Sequence, residues 1–194
     1  RDCPDPREEE AAARRRRGNC ACSGSIMWMA AFENDGAEIM RNTDWQWDES
    51  QQVGTDYTDL KEIAAYDERM ADFRNVDEEN RDMLGMLNLP SGAAILEIGC
   101  GTGRFARAAA AAGLAVTAID VSARMLEYVR QAAAAEGLPE IVTHHAGFLT
   151  QDLPAACFDA VVSGSALHHL PDAWKLVALR NVARVLRPGG QFIL

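Results

Sequence analysis

The sequence lacks an apolar run long enough to cross a bilayer. Its longest stretch without charged or polar side chains other than Gly and Thr, Ala108 to Ile119, falls well short of the roughly 20 residues a spanning helix needs. No membrane partner is expected. A disulfide framework is missing too: the five cysteines, Cys3, Cys20, Cys22, Cys100 and Cys157, are odd in number and scattered, which fits a reducing, cytoplasmic compartment. Cys20 and Cys22 have no second Cys/His pair at zinc-site spacing, so no metal is expected. Nor is there an excess of basic residues. The net charge is −10, and residues 1–93 hold 11 Lys/Arg against 21 Asp/Glu, while residues 94–194 hold 8 of each. An acidic front half repels phosphate backbones, so a nucleic-acid partner is not expected.

What is present is room for one domain with a full core and an appendage: 194 residues, 48% of them apolar and 25% charged, in the ordinary globular range. Residues 1–55 show no sustained period and are expected to be irregular or disordered, with Trp45 and Trp47 as anchors. Arg14 to Arg17 ahead of "IMWMAAF" resemble the first parts of a signal peptide, but no small-residue cleavage site follows at the right distance. The reading preferred here is an extension ahead of an internal start at Met27, Met29 or Met40. From Asp56 the pattern turns helical, with Leu60, Ile63, Ala64, Met70 and Phe73 at spacings near 3 and 4. A second helix is predicted over Asp77–Leu87, and residues 56–90 together form a helical lid. Pro90-Ser91-Gly92 marks a boundary.

Residues 91–194 alternate regularly. Strands are predicted at Ala94–Ile98, Ala115–Ile119, Ile141–His145, Phe158–Ser163 and Gln191–Leu194, with helices at Arg104–Ala112, Ser122–Glu136 and Pro171–Leu186. Gly113 and Gly137 stand where C′ glycines end the first two helices, and Ser122 is placed as an N-cap. Short apolar strands alternating with helices predict an α/β fold: a Rossmann-like, doubly wound, mainly parallel sheet covered on both faces.

The stretch "AAILEIGCGTGRFARA" carries the chemistry. A strand ends in Glu97 and breaks into Gly99-Cys100-Gly101-Thr102-Gly103, a turn whose glycines admit a ligand where a Cβ would collide. In open α/β sheets ligands sit beyond the carboxyl ends of the strands. Asp120 ends the second strand 17 residues after Gly103, where a carboxylate can accept both hydroxyls of a ribose; the alternative is a carboxylate stabilised by the following helix N-terminus. Arg104 stands where the dinucleotide fingerprint needs its third glycine, which argues against NAD. Glu97 would repel a pyrophosphate but suits a cationic ligand such as an amino-acid ammonium. Its alternative role is a buried acid bonded to loop amides.

A nucleoside joined to a cationic amino acid describes S-adenosylmethionine. "ILEIGCGTGRFA", "AIDVS", "FDAVVSGSALHHL" and "VLRPGGQFIL" resemble the successive motifs of class I S-adenosylmethionine-dependent methyltransferases, from about Tyr57 to the last residue. The resemblance implies that Glu97, Gly99 and Gly101 surround the methionine part, with Cys100 and Gly103 also cofactor-binding positions of the loop, that Asp120 holds the ribose, and that Val121 and Met125 pack on the adenine. The chain departs from the family at "HHAGFLTQDLP": the acid that meets the adenine amino group in many members is replaced by Ala146, Gly147 and Phe148. Adenine contact is therefore expected from the Gly147 and Phe148 backbones and the Phe148 ring, with Asp152 a substitute acid and core packing the alternative for Phe148. Ser163 is expected to contribute backbone to the crevice.

The cofactor supplies the reactivity in methyl transfer, so no dedicated catalytic residue is required. His168 and His169 are the candidate general bases, the alternative for each being a packing role. His144 and His145 are expected on opposite faces of the third strand, without a third ligand for a metal. Tyr57 and Tyr66 are candidate pocket residues for a small-molecule acceptor, or amphipathic packing residues. The resemblance implies a sixth and seventh strand after Leu194, so the chain is expected to be a fragment with weak or absent turnover. The competing readings are a non-catalytic S-adenosylmethionine-binding protein and a nicotinamide oxidoreductase, the latter disfavoured by Arg104 and Glu97.

Overall fold

A computed structural model describes residues 45–51 and 74–194; Tyr57, Tyr66 and most of the predicted lid lie outside them. In chain order the core elements are α1 (Val76–Leu87), β1 (Ala94–Ile98), α2 (Arg104–Ala111), β2 (Ala115–Asp120), α3 (Ala123–Ala135), β3 (Val142–His145), β4 (Phe158–Val162), a 3₁₀ turn (Leu167–His169), α4 (Asp172–Val185) and β5 (Leu186–Ile193).

The five strands form one sheet in the order β3-β2-β1-β4-β5, and every neighbouring pair is parallel. This is the Rossmann-like arrangement the alternation predicts. The central strand β1 shows why its sequence is apolar without alternation. Ile95 packs into one core layer with Phe105, Ala109, Val116 and Val129. The next residue, Leu96, packs into the other with Ile119, Val161, Ala178 and Val182. Successive side chains leave a strand on opposite faces, so a sheet covered on both sides needs apolar residues at every position. Ile95 and Leu96 are both fully buried, and each such side chain stabilises the fold by about 1.5–3 kcal/mol.

Helix boundaries follow local chemistry. The Ser122 hydroxyl accepts the Met125 N–H at 3.3 Å and caps α3. Asn75 caps α1 through its side chain, accepting from Glu78 N–H at 3.3 Å. The 3₁₀ turn over "LHH" has no counterpart among the predicted elements.

The fifth strand begins earlier than predicted. Leu186 pairs with Phe158, pairing then shifts, and Gln191, Phe192 and Ile193 pair with Ala160, Val161 and Val162. Pro188-Gly189-Gly190 reads locally as a turn, but the sheet absorbs it as an irregularity within one strand. Arg187 stabilises this place by donating to Asp159 Oδ2 at 2.5 Å. The same oxygen accepts the Ala94 N–H at 2.8 Å, which ties the start of β1 to β4 and β5.

Candidate functional site

The carboxyl ends of β1 and β2 build the site. Gly99 and Cys100 both donate their N–H groups to Ile119 O, at 2.8 and 3.1 Å, so the glycine turn is laced to the neighbouring strand. Asp120 completes the lacing. Its Oδ2 accepts the Gly101 N–H at 2.8 Å, and its Oδ1 accepts the Ser122 N–H at 2.8 Å. Burial pushes the Asp120 carboxyl up from its ordinary range, while the Ser122 and Gly101 amides pull the other way.

Two hollows meet at this turn, and Gly99, Gly101, Gly164 and Ser165 line both. The larger encloses about 980 Å³ including the solvent at its mouth. It is lined by Asp120, Val121, Met125, Gly147 and Phe148 from the strand ends, by His169 and Leu170, and by Trp47, Glu49 and Gln51. The smaller lies on the α1 and α2 side and is lined by Glu97, Cys100, Thr102, Arg74 and Asn80, among others. The two carboxylates singled out in the sequence therefore stand one in each hollow, on either side of the glycine turn.

Glu97 is 6% exposed. One of its oxygens takes the Ala106 amide in the first turn of α2. The other, Oε2, is buried without a protein partner. Burial pushes this carboxyl up to about 8, and the negative charge of Asp120 adds to the effect. A buried acceptor without a donor costs about 1–3 kcal/mol, so a donor brought to Oε2 would be favoured there. Cys100 beside it is buried. Burial pushes its thiol well above the usual range, as do the charges of Glu97 and Asp120, so it is no nucleophile at neutral pH.

Of the predicted site residues, Glu97, Gly99, Cys100, Gly101, Asp120, Val121, Met125, Gly147 and Phe148 all line one hollow or both. Phe148 also belongs to the buried core, so its packing role and its position at the cleft coexist. Gly103, Ser163 and His168 line neither hollow. Gly103 stands behind the turn, where a Cβ would lie 2.6 Å from a Val129 methyl; its smallness admits α3, not a ligand. Ser163 is 1% exposed and spends its hydroxyl on Ile98 O at 2.8 Å. The next residues, Gly164, Ser165 and Ala166, line the cleft instead.

His169 lines the larger hollow. Its ring lies 4.0 Å from that of His168, centroid to centroid, and burial, followed by the His168 charge, lowers its pKa. His145 is a hydrogen-bonding residue: its Nε2 is 2.8 Å from Val121 O. Burial lowers the His144 pKa. Among the described residues no group of three or more His, Cys, Asp or Glu could hold a metal ion, and no helix is long and apolar enough to cross a membrane.

The residues that sequence reasoning missed are Glu49 and Gln51, together with the place of Trp47 in the cleft wall. They lie in a segment without periodicity, where composition signals nothing. The one available signal was the density of tryptophan in "DWQWDES", and it identifies anchors but not the acid between them.

Comparison with known proteins agrees with this geometry. A methyltransferase-domain family matches residues 95–190. The chain is 39% identical over 114 residues to the 27-O-demethylrifamycin SV methyltransferase of Amycolatopsis mediterranei, covering 58% of this chain and 41% of that one. It thus spans less than half the length of that relative. A candidate S-adenosyl-L-methionine-dependent methyltransferase of Methanococcus maripaludis shares the fold, with a TM-score of 0.61 and 19% identity over 74% of this chain and 66% of that one. Phosphoethanolamine N-methyltransferase 2 of Haemonchus contortus, solved with phosphomonomethylethanolamine and S-adenosylhomocysteine, superposes with a TM-score of 0.54 and 28% identity over 60% of this chain and 27% of that one. The sheet shared with these solved structures shows the fold; the methyltransferase-domain match over residues 95–190 and the relative at 39% identity place the chain among the class I S-adenosylmethionine-dependent methyltransferases.

Proposed function

We propose that the two-lobed cleft holds S-adenosylmethionine and that the protein transfers its methyl group to a small-molecule acceptor. The observation that carries this reading is Glu97 Oε2, buried and unpartnered in the lobe opposite Asp120. The amino-acid end of the cofactor carries an ammonium, the kind of donor that such an oxygen lacks. On the other side of the turn, Asp120 takes the ribose hydroxyls while Val121, Met125 and Phe148 give the base apolar faces.

The cofactor supplies an electrophilic methyl group on a cationic sulfur. The protein's own contribution is to bind, orient and exclude water. Gly101 leaves open space where a Cβ would stand and Gly99 makes room for Ala166, and the lacing of the turn to Asp120 and Ile119 O holds the donor in line with an acceptor. His169 lines the cleft, where burial favours its neutral form, the form able to take a proton from an oxygen or nitrogen acceptor.

Calorimetry on the full chain with S-adenosylmethionine, S-adenosylhomocysteine and NAD tests the reading. Binding of the first two with no competition from NAD is expected. Preferential binding of NAD would overturn it.

A further inference from the structure

Residues 45–51 are pinned at two points. At one end the Trp45 ring stacks on Trp174 of α4, with centroids 5.6 Å apart and planes at 23°. At the other, the Glu49 carboxylate enters the turn that follows β3. Its Oε1 accepts the Leu149 N–H, the Thr150 N–H and the Thr150 hydroxyl, each at 2.8 Å. Asp48 closes the chain between these points by accepting the Ser50 N–H at 3.0 Å and the Ser50 hydroxyl at 2.6 Å. Trp47 and Glu49 both line the larger hollow.

The approach at Gly147 is close. A Cβ there would lie 2.5 Å from Glu49 Oε2 and from its carboxyl carbon, so any larger residue at 147 requires the carboxylate to shift from this seat. Among the described residues lining this lobe, Glu49 and Asp120 are the two carboxylates. Asp120 sits at the glycine turn; Glu49 sits at the β3 end, and the apolar surfaces of Val121, Met125 and Phe148 also line this lobe. A flat base resting on those surfaces needs a polar partner at its edge, or its own edge groups are buried unpaired.

We propose that Glu49 is a specificity-determining residue that accepts a hydrogen bond from the exocyclic amine of the adenine ring. The inference rests on the S-adenosylmethionine reading of the cleft. The three hydrogen bonds of 2.8 Å all go to Oε1, so even with the Phe148 amide beside the carboxylate Oε2 keeps a lone pair with which to accept. Because an ionised carboxylate only accepts, it favours a 6-amino purine and opposes a 6-oxo purine, whose edge presents another acceptor. Burial pushes the Glu49 pKa up, and the Thr150, Leu149 and Phe148 donors pull it back. The carboxylate at this end of the cleft thus comes from a segment about a hundred residues before the strand it serves, at the place where the β3 loop itself offers Ala146, Gly147 and Phe148.

The test is calorimetry on the full chain with S-adenosylhomocysteine and its 6-oxo counterpart, S-inosylhomocysteine. The wild-type protein is expected to favour the adenosine compound by roughly tenfold or more. Glu49→Gln, whose amide can donate to a 6-oxo group, should reduce the preference to within about threefold. Gly147→Ala should displace the carboxylate and reduce it similarly, with no further change when combined with Glu49→Gln. If Glu49→Gln fails to fold by circular dichroism, Gly147→Ala alone carries the same readout. An unchanged preference in the variants, or no preference in the wild type, overturns the role of Glu49 and leaves the cofactor reading standing. A wild-type protein that binds neither compound overturns the cofactor reading itself.

Discussion

Asp120 Oδ2 accepts the Gly101 N–H at 2.8 Å, so the carboxylate that ends β2 holds in place the glycine turn that ends β1. An acid in this position has two tasks, shaping the loop and facing the cleft, and they can be separated. Asp120→Asn keeps an acceptor for one amide, whereas Asp120→Ala keeps none. Cofactor affinity should fall by roughly 1–3 kcal/mol in the alanine variant, the scale of lost hydrogen bonds to a buried charged group. The asparagine variant should lose less. Titration calorimetry measures both, and an affinity unchanged in Asp120→Ala would remove the residue from the site.

Glu97 gives the site a pH dependence of predictable sign. Its pKa of about 8 in the folded chain lies above the ordinary 4.5. The folded state therefore keeps a proton that the unfolded chain releases, and stability contributed by the neutral form is lost as pH rises from about 4.5 to about 8. Each unit of difference is worth about 1.4 kcal/mol. Glu97→Gln should flatten this slope and leave the unliganded variant more stable than wild type at pH 8, by up to roughly 5 kcal/mol. Chemical denaturation at pH 5, 6.5 and 8 reads the effect, and parallel curves for the two proteins would contradict it.

The same residue couples binding to proton release. A neutral Glu97 must ionise to hold an ammonium, so S-adenosylmethionine affinity should rise with pH between about 6 and 8, approaching tenfold per unit. At pH 7, calorimetry in buffers of different ionisation enthalpy should detect close to one proton released per cofactor bound. Absence of release, together with pH-independent affinity, would mean that Glu97 does not face the cationic end.

Two glycines of one turn should respond in opposite ways to the same substitution. Gly101 has φ +53° with open space where a Cβ would go, whereas Gly103 has φ +72° and would drive a Cβ to 2.6 Å from Val129. Gly101→Ala therefore costs only the left-handed backbone, about 1–2 kcal/mol, and places a methyl group in the cleft. Gly103→Ala adds a collision with packed core. Thermal unfolding should rank Gly103→Ala as the less stable, while S-adenosylhomocysteine binding by the folded fraction should be the weaker in Gly101→Ala.

The parallel sheet was readable because its strands are apolar at every position and its helices carry their own stop and start signals. Ser122 is the clearest case. The site was readable as far as it is local: Glu97, the glycine turn and Asp120 are separated by short, patterned spacings. Period alone does not reveal that the Ser163 hydroxyl is spent on Ile98 O. Gly103 was grouped with its neighbours because spacing cannot distinguish a glycine that admits a ligand from one that admits a helix. Glu49 was invisible for a different reason. Its partners, Leu149 and Thr150, are about a hundred residues away, and nothing in an aperiodic acidic segment announces a tertiary contact.

The stacking of Trp45 on Trp174 places a structural demand on residues outside the cleft. Trp45 is 74% exposed, so its ring adds little to the core, and its removal should leave the melting temperature nearly unchanged. It does, however, fix one end of the segment that presents Trp47 and Glu49. An aromatic pair of this kind contributes about 0.5–1.5 kcal/mol beyond area burial, so Trp45→Ala should weaken S-adenosylhomocysteine binding by roughly two- to tenfold if the segment must be ordered for binding. Trp174→Ala should do the same, and the double variant should be no worse than either alone, because each single change already breaks the stack. Additive losses in that cycle would show that the two rings act separately and that the stack does not position the segment.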